Sequence, residues 1–106
     1  MLDKKFIRDS LELSRLANNL VKNKNAEHAS QIILICDESI ARLSRNSGAL
    51  ENRLIKLLLD IKLHAQNIIA EGQHKVKSPD GKRVDLIVED VNNIKKLIVL
   101  ELNKTS

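Results

Sequence analysis

Aromatic residues are almost missing from this 106-residue chain: Phe6 is the only one, with no Trp and no Tyr. A core must therefore be built from Leu, Ile and Val. Cysteine is nearly as scarce. The lone Cys36 excludes an internal disulfide and any C-x-x-C metal pair, the usage of an intracellular, cytoplasmic protein. No apolar run approaches the roughly 18 residues that a membrane-spanning helix needs. The opening Met1-Leu2-Asp3-Lys4-Lys5 lacks the basic-then-apolar order of a secretory leader, so no membrane partner is expected. Gly-rich phosphate loops, zinc-ligand spacings and a nucleophile elbow are also absent from the sequence.

What is present is the mixture of an ordinary globular domain, 42% hydrophobic and 30% charged. At 12.0 kDa the chain is long enough for one modest core. The net charge of +4 is spread evenly: residues 1–46 carry eight Lys/Arg against six Asp/Glu, and residues 47–106 carry ten against eight, about +2 each. The densest basic stretch is Lys75, Lys77, Lys82 and Arg83, opposed locally by Asp80. It reads either as a solvated loop or as a nucleic-acid-binding patch that contacts phosphates.

Periodicity predicts a helical hairpin over residues 1–46 as a first unit. Phe6, Leu13, Leu16, Ala17 and Leu20 recur at helical spacing over residues 4–22, with Asp3 placed to cap the first turn. Asn23-Lys24-Asn25 breaks the pattern, and Asn25 can cap a second helix. There Ala29, Ile33, Cys36, Ile40 and Leu43 form one stripe, which makes Cys36 a buried structural thiol rather than a nucleophile. A third helix begins near Ala49 and carries Leu50, Leu54, Leu57, Leu58 and Ile61, with Gly72 as its latest stop.

The remainder, within a second unit over residues 47–106, changes character. Ser78-Pro79-Asp80-Gly81 is a turn signal flanked by short runs of strand type, 74–77 and 83–88, with a third run at 97–102. Antiparallel pairing of 84–88 with 98–102 about Asn93 places Val84/Leu102, Leu86/Leu100 and Val88/Ile98 on one face. The expected fold is thus α+β: a helical hairpin, a helix, then a three-stranded antiparallel meander, the whole forming one compact unit. The alternative is an all-α four-helix bundle, since Val84, Ile87, Val91, Ile94 and Ile98 also fit a heptad, at the cost of β-branched residues and a central Asn pair.

The strand register sets Asp85 directly across from Glu101, with Cβ atoms roughly 4.5–5.5 Å apart. Such a pair repels unless a divalent cation lies between the carboxylates, and Mg²⁺ takes hard oxygen ligands of this kind. The plainer reading is two solvated acids on a sheet face. His28, His64 and His74 have no spacing that demands a role.

Gly48-Ala49-Leu50-Glu51, then Asp80-Gly81-Lys82-Arg83-Val84-Asp85-Leu86-Ile87-Val88, then Leu97-Ile98-Val99-Leu100-Glu101-Leu102-Asn103 resembles the front half of a PD-(D/E)XK nuclease core, over about residues 47–104. The resemblance implies Mg²⁺ or Mn²⁺ held by Glu51, Asp85 and Glu101, with Asn103 standing where the family has its lysine. The family's second core helix and following strand have no counterpart: either the chain is a fragment, or a homo-oligomer, a completing polypeptide or the N-terminal helices supply the missing parts, or the site is degenerate. Two functional expectations follow. One is a nuclease-like, DNA-binding hydrolase domain with weak or lost catalysis; the other is a non-catalytic helical interaction module that regulates or neutralises another protein.

Overall fold

The structure, a computed structural model, describes residues 4–23, 26–46, 48–73 and 81–104. They form four helices: α1 (Lys4–Lys22), α2 (Ala26–Leu43), α3 (Ala49–Gln73) and α4 (Gly81–Lys104). No strand occurs among the described residues. The α+β expectation is therefore corrected to its alternative, an all-α four-helix bundle. The meander falls with it: its second and third runs lie on α4, and its first, residues 74–77, lies outside the described residues.

An ion pair joins each helix to the next. Asp9, early in α1, pairs with Arg42, late in α2; Asp37 on α2 accepts from Lys62 on α3 at 2.6 Å; Glu71, late in α3, accepts from Arg83, early in α4, at 2.5 Å. Each successive pair is antiparallel. α1 also packs on α4, so the four contacts α1–α2, α2–α3, α3–α4 and α4–α1 close a ring. The result is a rod of 48 × 23 × 18 Å, its length matching the roughly 37 Å of a 25-residue helix plus its ends.

The core runs along the axis of this ring. α1 buries Phe6, Leu13, Leu16, Ala17 and Leu20, the stripe its periodicity predicts. α3 buries Leu54, Leu58, Ile61, Ala65 and Ile68, and runs one residue past Gly72. α4 buries Val84, Ile87, Val91, Ile94 and Ile98, the heptad set. The strand register had placed Ile87 on the face of Asp85; it is fully buried, while Leu100 and Leu102, assigned to the core, stand outside. A regular stripe on a 24-residue helix, packed against two neighbouring helices, outweighs the few tenths of a kcal/mol per residue by which β-branched side chains disfavour helix. The Asn pair is accommodated because Asn92 points to solvent and Asn93 is only half-buried.

On α2 the inward row is Ala29, Ile32, Cys36, Ser39 and Leu43, displaced from the expected one at two positions. Ile33 and Ile40 are half-buried at its edge, as suits a helix wedged between two partners. The polar Ser39 takes an inner place because Asp9 of α1 accepts its hydroxyl hydrogen, at 3.4 Å. Beyond Leu43 the chain tightens into i→i−3 bonds, Arg45 N to Arg42 O at 3.3 Å and Asn46 N to Leu43 O at 3.1 Å, which occupy carbonyls the helix end would leave open.

Candidate functional site

The expected acidic centre is dispersed. Asp85 lies exposed near the start of α4 and Glu101 half-buried near its end; sixteen residues of helix separate them by about 24 Å. A strand pair would have set them side by side, whereas a helix puts them at opposite ends of the rod. Glu51 stands on the first turn of α3, and no group of three His, Cys, Asp or Glu side chains able to hold a metal ion forms among the described residues. Asn103 is exposed in the last turn of α4. The geometry on which Mg²⁺ or Mn²⁺ was inferred is thus missing.

Glu51 has a local structural setting. Gly48 precedes α3 and its carbonyl accepts the first helical bond, from Asn52 N at 3.0 Å, so Glu51 occupies the third helical position. Its carboxylate folds back over Gly48: a Cβ on that glycine would collide with Oε2 and sit 3.1 Å from Cδ. This sets an acid at the third helical position, where capping boxes carry Glu or Gln, and against the positive end of the α3 dipole. It accounts for the burial of Glu51 without any catalytic role.

Of the basic patch, only Lys82 and Arg83 fall among the described residues. Lys75 and Lys77, with His74, lie outside the described residues. Lys82 is exposed on the first turn of α4, and the Nε–H of Arg83 donates to Glu71. With no strand and no metal-holding group of acids among the described residues, the PD-(D/E)XK resemblance does not hold, nor do the nuclease, hydrolase and DNA-binding readings built on it. Cys36 is fully buried, and burial, with a smaller push from Asp37, raises its thiol to a pKa of about 12. It is no nucleophile at neutral pH.

The surface feature that stands out lies between the first half of α3 and the second half of α4. A groove of about 690 Å³ runs there, with Leu57 and Leu97 on its floor and Leu100 on its outer lip. It continues toward the start of α3 into a smaller hollow of about 250 Å³, which shares Arg53, Leu97 and Leu100. Leu100 also borders an apolar shelf with Val99 on the outer side of α4. Val99 and Leu100 are 55% and 58% exposed, an unusual setting for adjacent large apolar side chains.

Bases surround this apolar strip. Arg53 and Lys56 rise from α3, and Lys95, Lys96 and Lys104 from α4. Only Asp60 and Glu101 oppose them among the residues lining the three hollows, leaving five positive side chains against two negative ones. Beyond Asp60 the sign reverses. Asp90 on α4 holds its proton more tightly than an ordinary aspartate, first because of partial burial and then because the charges of Asp60 and Glu89 oppose its ionisation, while His64 acts the other way.

The strand reading hid this groove. Once 81–104 is helical, the heptad Val84 to Ile98 fills the interior, and Val99-Leu100 beside Lys95-Lys96 becomes an apolar surplus on the outside. No helix among the described residues is long and apolar enough to cross a membrane. No protein-family profile, curated protein or solved structure matches the chain, so its functional reading rests on these residues alone.

Proposed function

We propose that the chain is a non-catalytic helical interaction module, and that the α3–α4 groove is its working surface. One observation carries the reading: Leu100, 58% exposed, joins three hollows into a single apolar strip bordered by bases. Exposed leucine here adds nothing to the core, and water disfavours it. A partner that covers it gains the burial that the monomer forgoes. Regulation or neutralisation of another protein needs only such a surface on a rigid frame, and the four-helix core provides the frame. The lone, inert Cys36 accords with a cytoplasmic setting.

A photoreactive residue placed at Leu100, and separately at Leu34 on the outer side of α2, tests this in the cells that make the protein. Both positions are exposed. A discrete protein adduct is expected from position 100 and none from position 34. Adducts at neither position, or the same adducts at both, would overturn the reading.

A further inference from the structure

We infer that the occupant of the α3–α4 groove is an acidic amphipathic helix of a partner protein, lying along the strip with apolar side chains on Leu57, Leu97 and Leu100 and carboxylates against the bases. The inference rests on the interaction reading above and names the chemistry of the partner. Three features of the surface argue for it.

The first is charge. Arg53 and Lys56 on one bank and Lys96 and Lys104 on the other, against Asp60 and Glu101, with Lys95 on the adjoining outer shelf, make a positive border around an apolar floor. An incoming carboxylate is favoured on either bank, and a lysine-bearing face is repelled. The same excess disfavours a second copy of this chain, because a two-fold contact would set the two basic borders against each other.

The second is shape. The strip spans Leu50 to Asp60 on α3 and Asn93 to Lys104 on α4, which at helical rise is about 15 Å, or three turns. Two antiparallel helices flanking a trough of that length match a third helix, whose apolar side chains at i, i+3 or i+4 and i+7 would meet the floor. A lipid surface is met by a protruding apolar edge, and here Leu57 and Leu97 are recessed and half-buried.

The third is the pattern of exposure. Leu97 is half-buried and packs on the core, whereas Val99 and Leu100 stand in water. The strip is therefore recessed along Leu57 and Leu97 and apolar out to its α4 lip at Leu100.

The test uses the full chain and two synthetic helical peptides of about 18 residues, identical in a leucine stripe and differing in whether Glu or Lys fills the other faces. Fluorescence anisotropy reads the binding, with vesicles of phosphatidylserine and phosphatidylcholine as a third probe. The Glu peptide is expected to bind at least about tenfold more tightly than the Lys peptide, with the gap narrowing as salt shortens the Debye length. Lys56→Glu with Lys96→Glu should weaken the Glu peptide and strengthen the Lys peptide, and Leu100→Ser should weaken the Glu peptide. All three positions are exposed, and an unchanged helical circular-dichroism spectrum confirms that the variants fold. Equal affinity for the two peptides, or indifference to the charge reversal, would overturn the inference. So would vesicle binding without peptide binding, which assigns the strip to lipid, or self-association lost in Leu100→Ser, which assigns it to a second copy. If the peptides fail while the adduct at position 100 persists, the acidic helix is wrong and the interaction module stands. If both fail, the module falls as well.

Discussion

Asp9 of α1 and Arg42 of α2 are joined across the bundle with little water around them, their side chains 18% and 22% exposed. Ser39, fully buried, turns its hydroxyl to the same carboxylate. A charged pair at this depth specifies how the two helices face each other, because any rotation strands one partner.

Removing Arg42 should therefore be costly. Arg42→Ala is expected to lower stability by roughly 1–3 kcal/mol, since Asp9 would lose its guanidinium partner and retain only the longer bond from Ser39. Urea titrations of the single and double alanine variants with Asp9 form a double-mutant cycle. A coupling below about 0.3 kcal/mol would show that the pair orders nothing.

Glu51 is expected to behave as a cap. Glu51→Gln should melt close to the parent, because Gln serves at the third helical position almost as well as Glu. Glu51→Ala should lose about 0.5–1 kcal/mol. Equal losses in both variants would mean that the carboxylate itself is required.

Asp90 gives stability a predictable dependence on pH. Its carboxyl pKa is raised in the folded chain, chiefly by burial and then by Asp60. The folded state thus binds its proton more readily than the unfolded one, and ionisation of Asp90 opposes folding at neutral pH. That penalty is relieved as pH falls through the folded pKa toward the ordinary aspartate value. Asp90→Asn should raise the melting temperature at pH 7 by roughly 1–3 °C, the scale of a partly exposed group, and the advantage over the parent should vanish near pH 4. An advantage that grows on acidification would contradict the sign.

Cys36 should be silent until the bundle opens. With its thiol raised to about 12 by burial, a disulfide reagent at pH 8 is expected to label the native chain only at the rate of unfolding, and to label it at once in urea. Immediate labelling of the native chain would show that α2 does not bury this position.

The first half of the fold was legible because its helices advertise themselves. α1 occupies the span 4–22 that its periodicity predicts, and α3 starts at Ala49. The misreading of α2 is smaller and instructive. Ile33 and Ile40 compete with Ile32 and Ser39 for the interior, and what settles it is Asp9, more than twenty residues away, which gives a serine reason to be inside. The second half misled for a different reason. Val84-Asp85-Leu86-Ile87-Val88 and Leu97-Ile98-Val99-Leu100 satisfy a period of two as readily as a heptad, and β-branched content tipped the choice. The acids then paired on paper. The groove escaped notice because it exists only when α4 lies beside α3, and nothing local marks Lys56 and Lys96 as neighbours of one trough.

The closing of the ring by α1 against α4 carries a kinetic consequence. Three of the four seams are hairpin contacts between helices adjacent in the chain, so each forms by a short local search. The fourth joins segments with the whole of α2 and α3 between them, a contact of large sequence separation that needs a longer search. That seam is expected to form last. Amide hydrogens along α1 should exchange sooner than those of α3, whose two neighbours both follow it or precede it directly. The groove lies on the α3–α4 seam, so an opening of α1 would leave both of its walls in place.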